Sequence, residues 1–248
     1  MRKICEIGGF KVWYVNGYWI RNHLDPEFSN YDSSIHFNFI PKDEFWIDME
    51  SGKSESKYYI ENFLAIQREM QKGKSYAHAW KIANEVEKKE RAKSKFYSNL
   101  KRSKIKEEIL RRVRKKQLFK KYTHKLKIYQ VRGEVVRYMF FIDFTQGGHD
   151  KVYDFVPENE VWVDDDVYKK ELPYVLIHEL HERKLMAQGW KYDSGGIGIF
   201  TRSKDSKGKS AHFDAEKIEM WTRKHPKSIK RVLFKEIKDN EDLIKKEK

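Results

Sequence analysis

Residues 11–20 read KVWYVNGYWI, a β-branched and aromatic run interrupted by Asn16-Gly17. Such a run predicts two short strands joined by a tight hairpin turn. The same pattern returns further on, where Ile128 to Val131 and Val135 to Phe141 flank Arg132-Gly133. A further strand is predicted at Phe45-Trp46-Ile47, and another at Val161-Trp162-Val163. Each follows a turn containing proline (Pro41, Pro157) and ends in acid, at Asp48 or at Asp164-Asp165-Asp166. Helical spacing then takes over at about 57–72 and 171–187. Pro173 sits near the start of the second helix, where proline is tolerated, and Gly73 and Gly189 are placed to end the two helices. Another helix is predicted from Ala77-His78 and another over 211–224, stopping before Pro226. The first would run into polar sequence to about residue 121, and a helix so polar needs a partner or breaks in two. Beyond Lys227, Ile229, Val232, Leu233 and Ile237 keep amphipathic helical spacing within a charged tail.

The two successions align without a gap. Residues 12–76 match residues 128–192 at a constant offset of 116. Val15, Gly17, Arg21, Phe28, Pro41, Glu44, Trp46 and Asp48 recur as Val131, Gly133, Arg137, Phe144, Pro157, Glu160, Trp162 and Asp164. Tyr58, Leu64, Met70, Gly73 and Tyr76 recur as Tyr174, Leu180, Met186, Gly189 and Tyr192. Self-similarity of this kind is the signature of internal duplication. The expected fold is α+β: two tandem β–α–α units joined by a long basic helical connector. The expected boundaries are 1–80 for a degenerate unit, 81–127 for the connector, 128–225 for the second unit and 226–248 for a charged tail.

Duplication makes each copy a control for the other. His178, Glu179, His181 and Glu182 of the second copy stand opposite Asn62, Phe63, Ala65 and Ile66 of the first. Apolar replacement implies that this helix face is buried in both copies. Burying His and Glu is costly unless they are paired, bound to a metal, or both. Residues four apart share a helix face, so His178 and Glu182 lie together, with His181 on an adjoining strip. Downstream, Ala77-His78 matches Ala211-His212 after an insertion. His212 on the next helix is thus either a further ligand or a structural residue retained as His78, and Glu219, opposite Glu85, carries the same ambiguity. The insertion, within residues 193–210, is rich in Gly and Ser. It reads equally as a lid or as a surface loop.

The phrase LIHELHERKLM resembles the zinc-binding helix of zincin metallopeptidases, in which His-Glu-x-x-His supplies two ligands and a glutamate that activates water. Here Glu182 stands at the second histidine, giving HExxE. The resemblance implies His178 and Glu182 as ligands, Glu179 as general base and His212 as third ligand, with His181 nearby as a further candidate. It implies a divalent cation, with Zn first and Mn or Fe as alternatives. The second copy as a whole also resembles small proteins of bacteriophage genomes with no established activity. That likeness implies the host cytoplasm as the location.

Charge adds a second line. The 248-residue chain carries a net charge of +14. Residues 88–127 hold 18 Lys and Arg against three Glu, so the remainder is close to neutral. Such a block predicts a nucleic acid or acidic surface as partner, with Phe96, Tyr97, Phe119 and Tyr122 available for stacking. Cys5 is the sole cysteine, which excludes an intrachain disulfide and a cysteine-based metal site. No apolar stretch is long enough for a membrane span, and the basic start lacks a following apolar region. A cytoplasmic protein is the expectation. Three functions follow: a metal-dependent hydrolase with one active and one degenerate repeat; a nucleic-acid-binding protein or metal nuclease using the connector; and a non-catalytic phage structural protein.

Overall fold

The computed structural model describes residues 1–51, 53–100, 106–192 and 210–246. In chain order these residues form β1 (Arg2–Ile7), β2 (Phe10–Val15), α1 (Gly17–His23), β3 (Tyr31–Ser33), β4 (Glu44–Asp48), α2 (Ser56–Gln71), α3 (Tyr76–Ala92), α4 (Lys95–Leu100) and α5 (Lys106–Val113). They continue as β5 (Arg114–Leu118), β6 (Lys127–Val131), α6 (Gly133–Met139), β7 (Gly147–His149), β8 (Glu160–Asp164), α7 (Leu172–Ala187), α8 (Ala211–Lys224) and α9 (Ile229–Lys246). The protein is a mixed α+β structure with two four-stranded sheets, in the orders β1-β2-β4-β3 and β5-β6-β8-β7. No helix among the described residues is long and apolar enough to cross a membrane.

The chain divides into two compact units. The first comprises Met1–Gly17, Phe28–Val113 and Arg132–Thr145. The second comprises Tyr18–Glu27, Arg114–Val131 and Gln146–Lys248. In the first unit β2 and β4 pair in parallel, from Lys11↔Glu44 to Val15↔Asp48, with β3 antiparallel to β4. In the second, β6 and β8 pair in parallel from Lys127↔Glu160 to Val131↔Asp164, with β7 antiparallel to β8. Small details keep the same spacing. The Asp48 N–H donates to the Asn30 carbonyl and the Asp164 N–H to the Gln146 carbonyl, each at 2.8 Å.

The hairpins expected at Asn16-Gly17 and Arg132-Gly133 are not formed. Helices α1 and α6 begin there instead, and β2 and β6 take their parallel partners from β4 and β8 further along the chain, which a two-residue turn cannot join. A type I′ turn needs positive φ at both central residues. Asn16, Gly17, Arg132 and Gly133 are all outside that region, whereas Gly8 and Gly9 lie at φ 59° and 83° and turn β1 into β2. The segment from Val135, expected as a strand, is therefore helical. The helix terminators hold: Gly73 and Gly189 take φ 83° and 88° directly after α2 and α7.

The basic connector is not one long helix. Its charged sequence closes as α3, α4 and α5 and then becomes the edge strand β5, antiparallel to β6. Lysines on an edge strand keep its open side solvated, as edge strands commonly do. The C-terminal segment is likewise more than a charged tail. Val232, Leu233, Ile237 and Ile244 of α9 pack with Leu126, Ile128, Val161, Val163, Leu176 and Leu180 in the core of the second unit. Glu241 Oε1 accepts the N–H groups of His124, Lys125 and Leu126 at 2.7–2.9 Å, tying the entry to β6.

Each unit buries one arginine–glutamate network. In the second, Glu171 accepts both Arg223 Nη atoms at 3.2 and 2.6 Å and lies 3.2 Å from Arg21 Nε. Arg223 also bonds Glu219 and covers the Tyr174 ring at 4.4 Å. In the first, Glu55 pairs with Arg91 and Arg137, while Arg91 bonds Glu87 and covers the Tyr58 ring at 4.5 Å. Burial opposes the charge on Glu55, but the two guanidinium groups override it and hold the carboxyl below its ordinary pKa. Arg21 and Arg137 are thereby fixed as structural ion-pair residues.

A candidate metal centre on helix α7

Helix α7 has neighbours on nearly every side: α8, α9, β7 and β8. Tyr174 to Ile177, Leu180 and Glu182 to Leu185 are buried. A helix enclosed in this way cannot leave a polar side chain unpaired without loss, and most of its polar residues are met by partners. Arg183 bonds Asp150 at 2.7 and 3.0 Å, and Lys184 bonds Glu236 at 2.5 Å.

His178 and Glu182, one turn apart, face α8. His178 Nε2 lies 3.2 Å from His212 Nδ1 and 3.6 Å from Glu182 Oε2, and His212 Nδ1 lies 2.9 Å from the same Glu182 oxygen. Two imidazoles and one carboxylate thus bring three donor atoms to one point. The other atom of each group is also engaged. His178 Nδ1 is 2.8 Å from Glu219 Oε2, His212 Nε2 is 3.5 Å from Glu27 Oε2, and Glu182 Oε1 is 2.9 Å from His149 Nε2.

His149, at the end of β7, escaped the sequence reading. It is fully buried. Its Nδ1 accepts the Lys151 N–H at 3.2 Å, which leaves Nε2 as the proton-bearing nitrogen that donates to Glu182. The two similar stretches of sequence held the signal: at the offset of 116 His149 falls opposite Ser33, so it is one more titratable residue present in the later stretch alone. Glu179 joins His149 and Glu182 in a second cluster. Its carboxyl lies over Gly147, where an added Cβ would stand 2.9 Å from Oε1.

The expectation for His181 is corrected. His181 points to a different neighbour set, with Nε2 3.2 Å from Asp214 and Nδ1 3.1 Å from Glu236. Three residues past His178 is about 60° further around the helix, enough to aim it between α8 and α9. The Asp164-Asp165-Asp166 run forms a separate acidic group.

The pairing of His212 with His78 is also corrected. Helix α8 buries Ala211, Ala215, Glu219 and Arg223, and α3 buries Ala79, Ala83, Glu87 and Arg91 at identical spacing. That register is an offset of 132, not 134. His212 therefore stands where the first unit has Trp80, and Glu219 where it has Glu87. His78 and Glu85 are exposed. In this sequence register Asn62, Phe63, Ile66, Trp80 and Ser33 hold the positions of His178, Glu179, Glu182, His212 and His149. Glu219, which also serves the arginine network, keeps its counterpart. The inserted residues up to Lys209 lie outside the described residues.

Burial and mutual charge shift these groups. Burial works against a charge on His178, but Glu182 and Glu219 reverse it and raise its pKa well above the usual range. His212 is likewise opposed by burial and raised to about 9 by Glu182 and Glu27. Glu182 is held well below its ordinary value despite burial, because His149 and His212 hydrogen-bond it and His178 lies 3.6 Å away. Glu179 is pushed the other way, to about 8, by burial and by the neighbouring Glu182 charge. Two carboxylates three residues apart thus separate into an ionised one and a proton-holding one.

Comparison with protein-family models, curated proteins and solved structures finds no match to this chain.

Proposed function

We propose that the chain holds two tandem β–α–α units and that the second is a metal-dependent hydrolase centre of zincin type. The matching sheet orders, parallel registers and buried arginine networks support the duplication. The observation that carries the metal reading is the spacing of three donor atoms. His178 Nε2, His212 Nδ1 and Glu182 Oε2 are 2.9–3.6 Å apart. The edge of a tetrahedron with arms of about 2.0 Å is about 3.3 Å, so these separations suit one tetrahedral cation. Two histidines and a carboxylate are also a donor set used by catalytic zinc, and the change from HExxH to HExxE is absorbed because His212 supplies the second imidazole.

The surroundings suit the same role. Glu219 holds His178 and His149 holds Glu182, the outer contacts that orient metal ligands. A bound cation would supply Lewis acidity and an acidified water. Once ionised beside the bound cation, Glu179 would take a proton from the attacking water and return it to the leaving group, and Gly147 leaves room for its carboxyl. The buried apolar wall of α7 limits other water.

Elemental mass spectrometry of the purified protein beside His178→Ala/Glu182→Ala tests this. About one Zn, Mn or Fe per chain, lost in the variant, is the expected result. No metal in either protein leaves a buried charge network and ends the hydrolase reading.

A further inference from the structure

The second unit contains a segment that is remote in sequence from the rest of it. Tyr18–Glu27, which carries α1, belongs to that unit although it lies in the first copy. It is anchored there at two points. The fully buried Arg21 is paired with Glu171, and Asn22 Oδ1 receives Arg223 Nη1 at 3.4 Å. At its end, Glu27 Oε2 lies 3.5 Å from His212 Nε2, the nitrogen opposite the one that faces His178 and Glu182. The first unit repeats this arrangement with the other segment. Arg132–Thr145, carrying α6, belongs to the first unit, where Arg137 pairs with Glu55. There Asp143, 116 residues after Glu27, is bonded by Asn84 Nδ2 at 3.1 Å and by the Trp80 indole. Trp80 occupies the helix position that His212 holds in the second unit. The contact between the end of this segment and the start of the second helix is thus kept while its chemistry changes from carboxylate–imidazole to carboxylate–indole.

We infer that Glu27 is a positioning residue of the metal centre, which the first copy of the sequence supplies to the second. Resting on the metal reading above, this assigns Glu27 to hold the Nε2–H of His212 so that Nδ1 presents its lone pair to a divalent cation. Carboxylate partners of ligating imidazoles fix both the tautomer and the ring orientation. With Glu219 on His178 and His149 on Glu182, all three ligands then have an outer partner. The first copy is in that case no mere degenerate leftover, because the site is incomplete without its residues 18–27.

The test is a Co²⁺ titration of the full chain, wild type against Glu27→Gln, followed by the visible d–d spectrum. Thermal midpoints of the metal-free proteins are measured alongside. The expected result is Co²⁺ affinity about 10–100-fold lower in Glu27→Gln, a shifted spectrum and an unchanged metal-free midpoint. Equal affinity and spectrum in the two proteins overturn the inference while leaving the metal site standing. A metal-free midpoint that falls together with affinity overturns it too, because Glu27 then acts on the fold. A wild-type protein that binds no Co²⁺ overturns both this inference and the metal reading.

Discussion

His149 Nε2 donates to Glu182 Oε1 at 2.9 Å from the far side of the helix carrying the HExxE phrase, and both side chains are buried. The bond leaves the other Glu182 oxygen turned toward His178 and His212. His149→Phe is therefore expected to lower divalent-metal affinity by about 10–100-fold. Isothermal titration with Zn²⁺ measures it, and unchanged affinity would show that Glu182 is oriented without His149.

At the offset of 116, His178 stands opposite Asn62. His178→Ala is expected to abolish hydrolysis and metal binding, whereas Asn62→Ala, which removes the bond from Asn62 to Asn84, leaves both within twofold of wild type. Metal content together with a peptidase screen reads both variants. Equal losses in the two would sink the assignment of the chemistry to the second unit.

Gly147 has negligible room for a side chain beside Glu179. Gly147→Ala is expected to push the Glu179 carboxyl aside, cutting kcat by about 100-fold, the usual worth of a general base, while metal content stays at the wild-type level. A variant that keeps full kcat would remove Glu179 from the base role.

Asp143 predicts a pH effect in the first unit. Burial first, then the neighbouring Glu87 charge, raises its pKa from 3.8 to about 7, against the opposing bond from Asn84. Between those values the folded chain holds a proton that the unfolded chain has lost, so this group makes stability fall as pH rises from about 4 to about 7. Asp143→Asn removes the contribution. The variant should gain several degrees of thermal midpoint over wild type at pH 8 and much less at pH 5. A gain independent of pH would refute the shift.

The arginine networks set the fold's tolerance. Removing one partner of a buried ion pair typically costs about 3–5 kcal/mol, because the other charge is left stranded. Arg91→Ala leaves Glu87 without its guanidinium partner and Glu55 with Arg137 alone, and should lower unfolding free energy by about that amount in urea titration. A cost below about 1 kcal/mol would mean the carboxylates find water.

The sequence by itself determined the elements whose signal is local and the contrast between its two similar stretches. Strands β4 and β8, helices α2, α7 and α8 and the glycine stops were legible because period, proline placement and positive φ are properties of a short stretch of chain. Four-residue spacing placed His178 and Glu182 on one face, as they lie here, while Glu179 was singled out by the contrast with the similar stretch at Asn62, Phe63 and Ile66. Tertiary structure decided the rest. Parallel pairing of β2 with β4 and β6 with β8 turned two predicted hairpins into helices, since strand partners are chosen across the sheet. The burial pattern of α8 moved the counterpart of His212 from His78 to Trp80, a register that no gapless alignment reaches across an insertion. Packing of α9 diverted His181 to Glu236, and β7 brought in His149 from 33 residues away. A helix states which side chains share a face. Only the elements packed against that face decide which of them meet, and Glu27 reaches His212 for that reason alone.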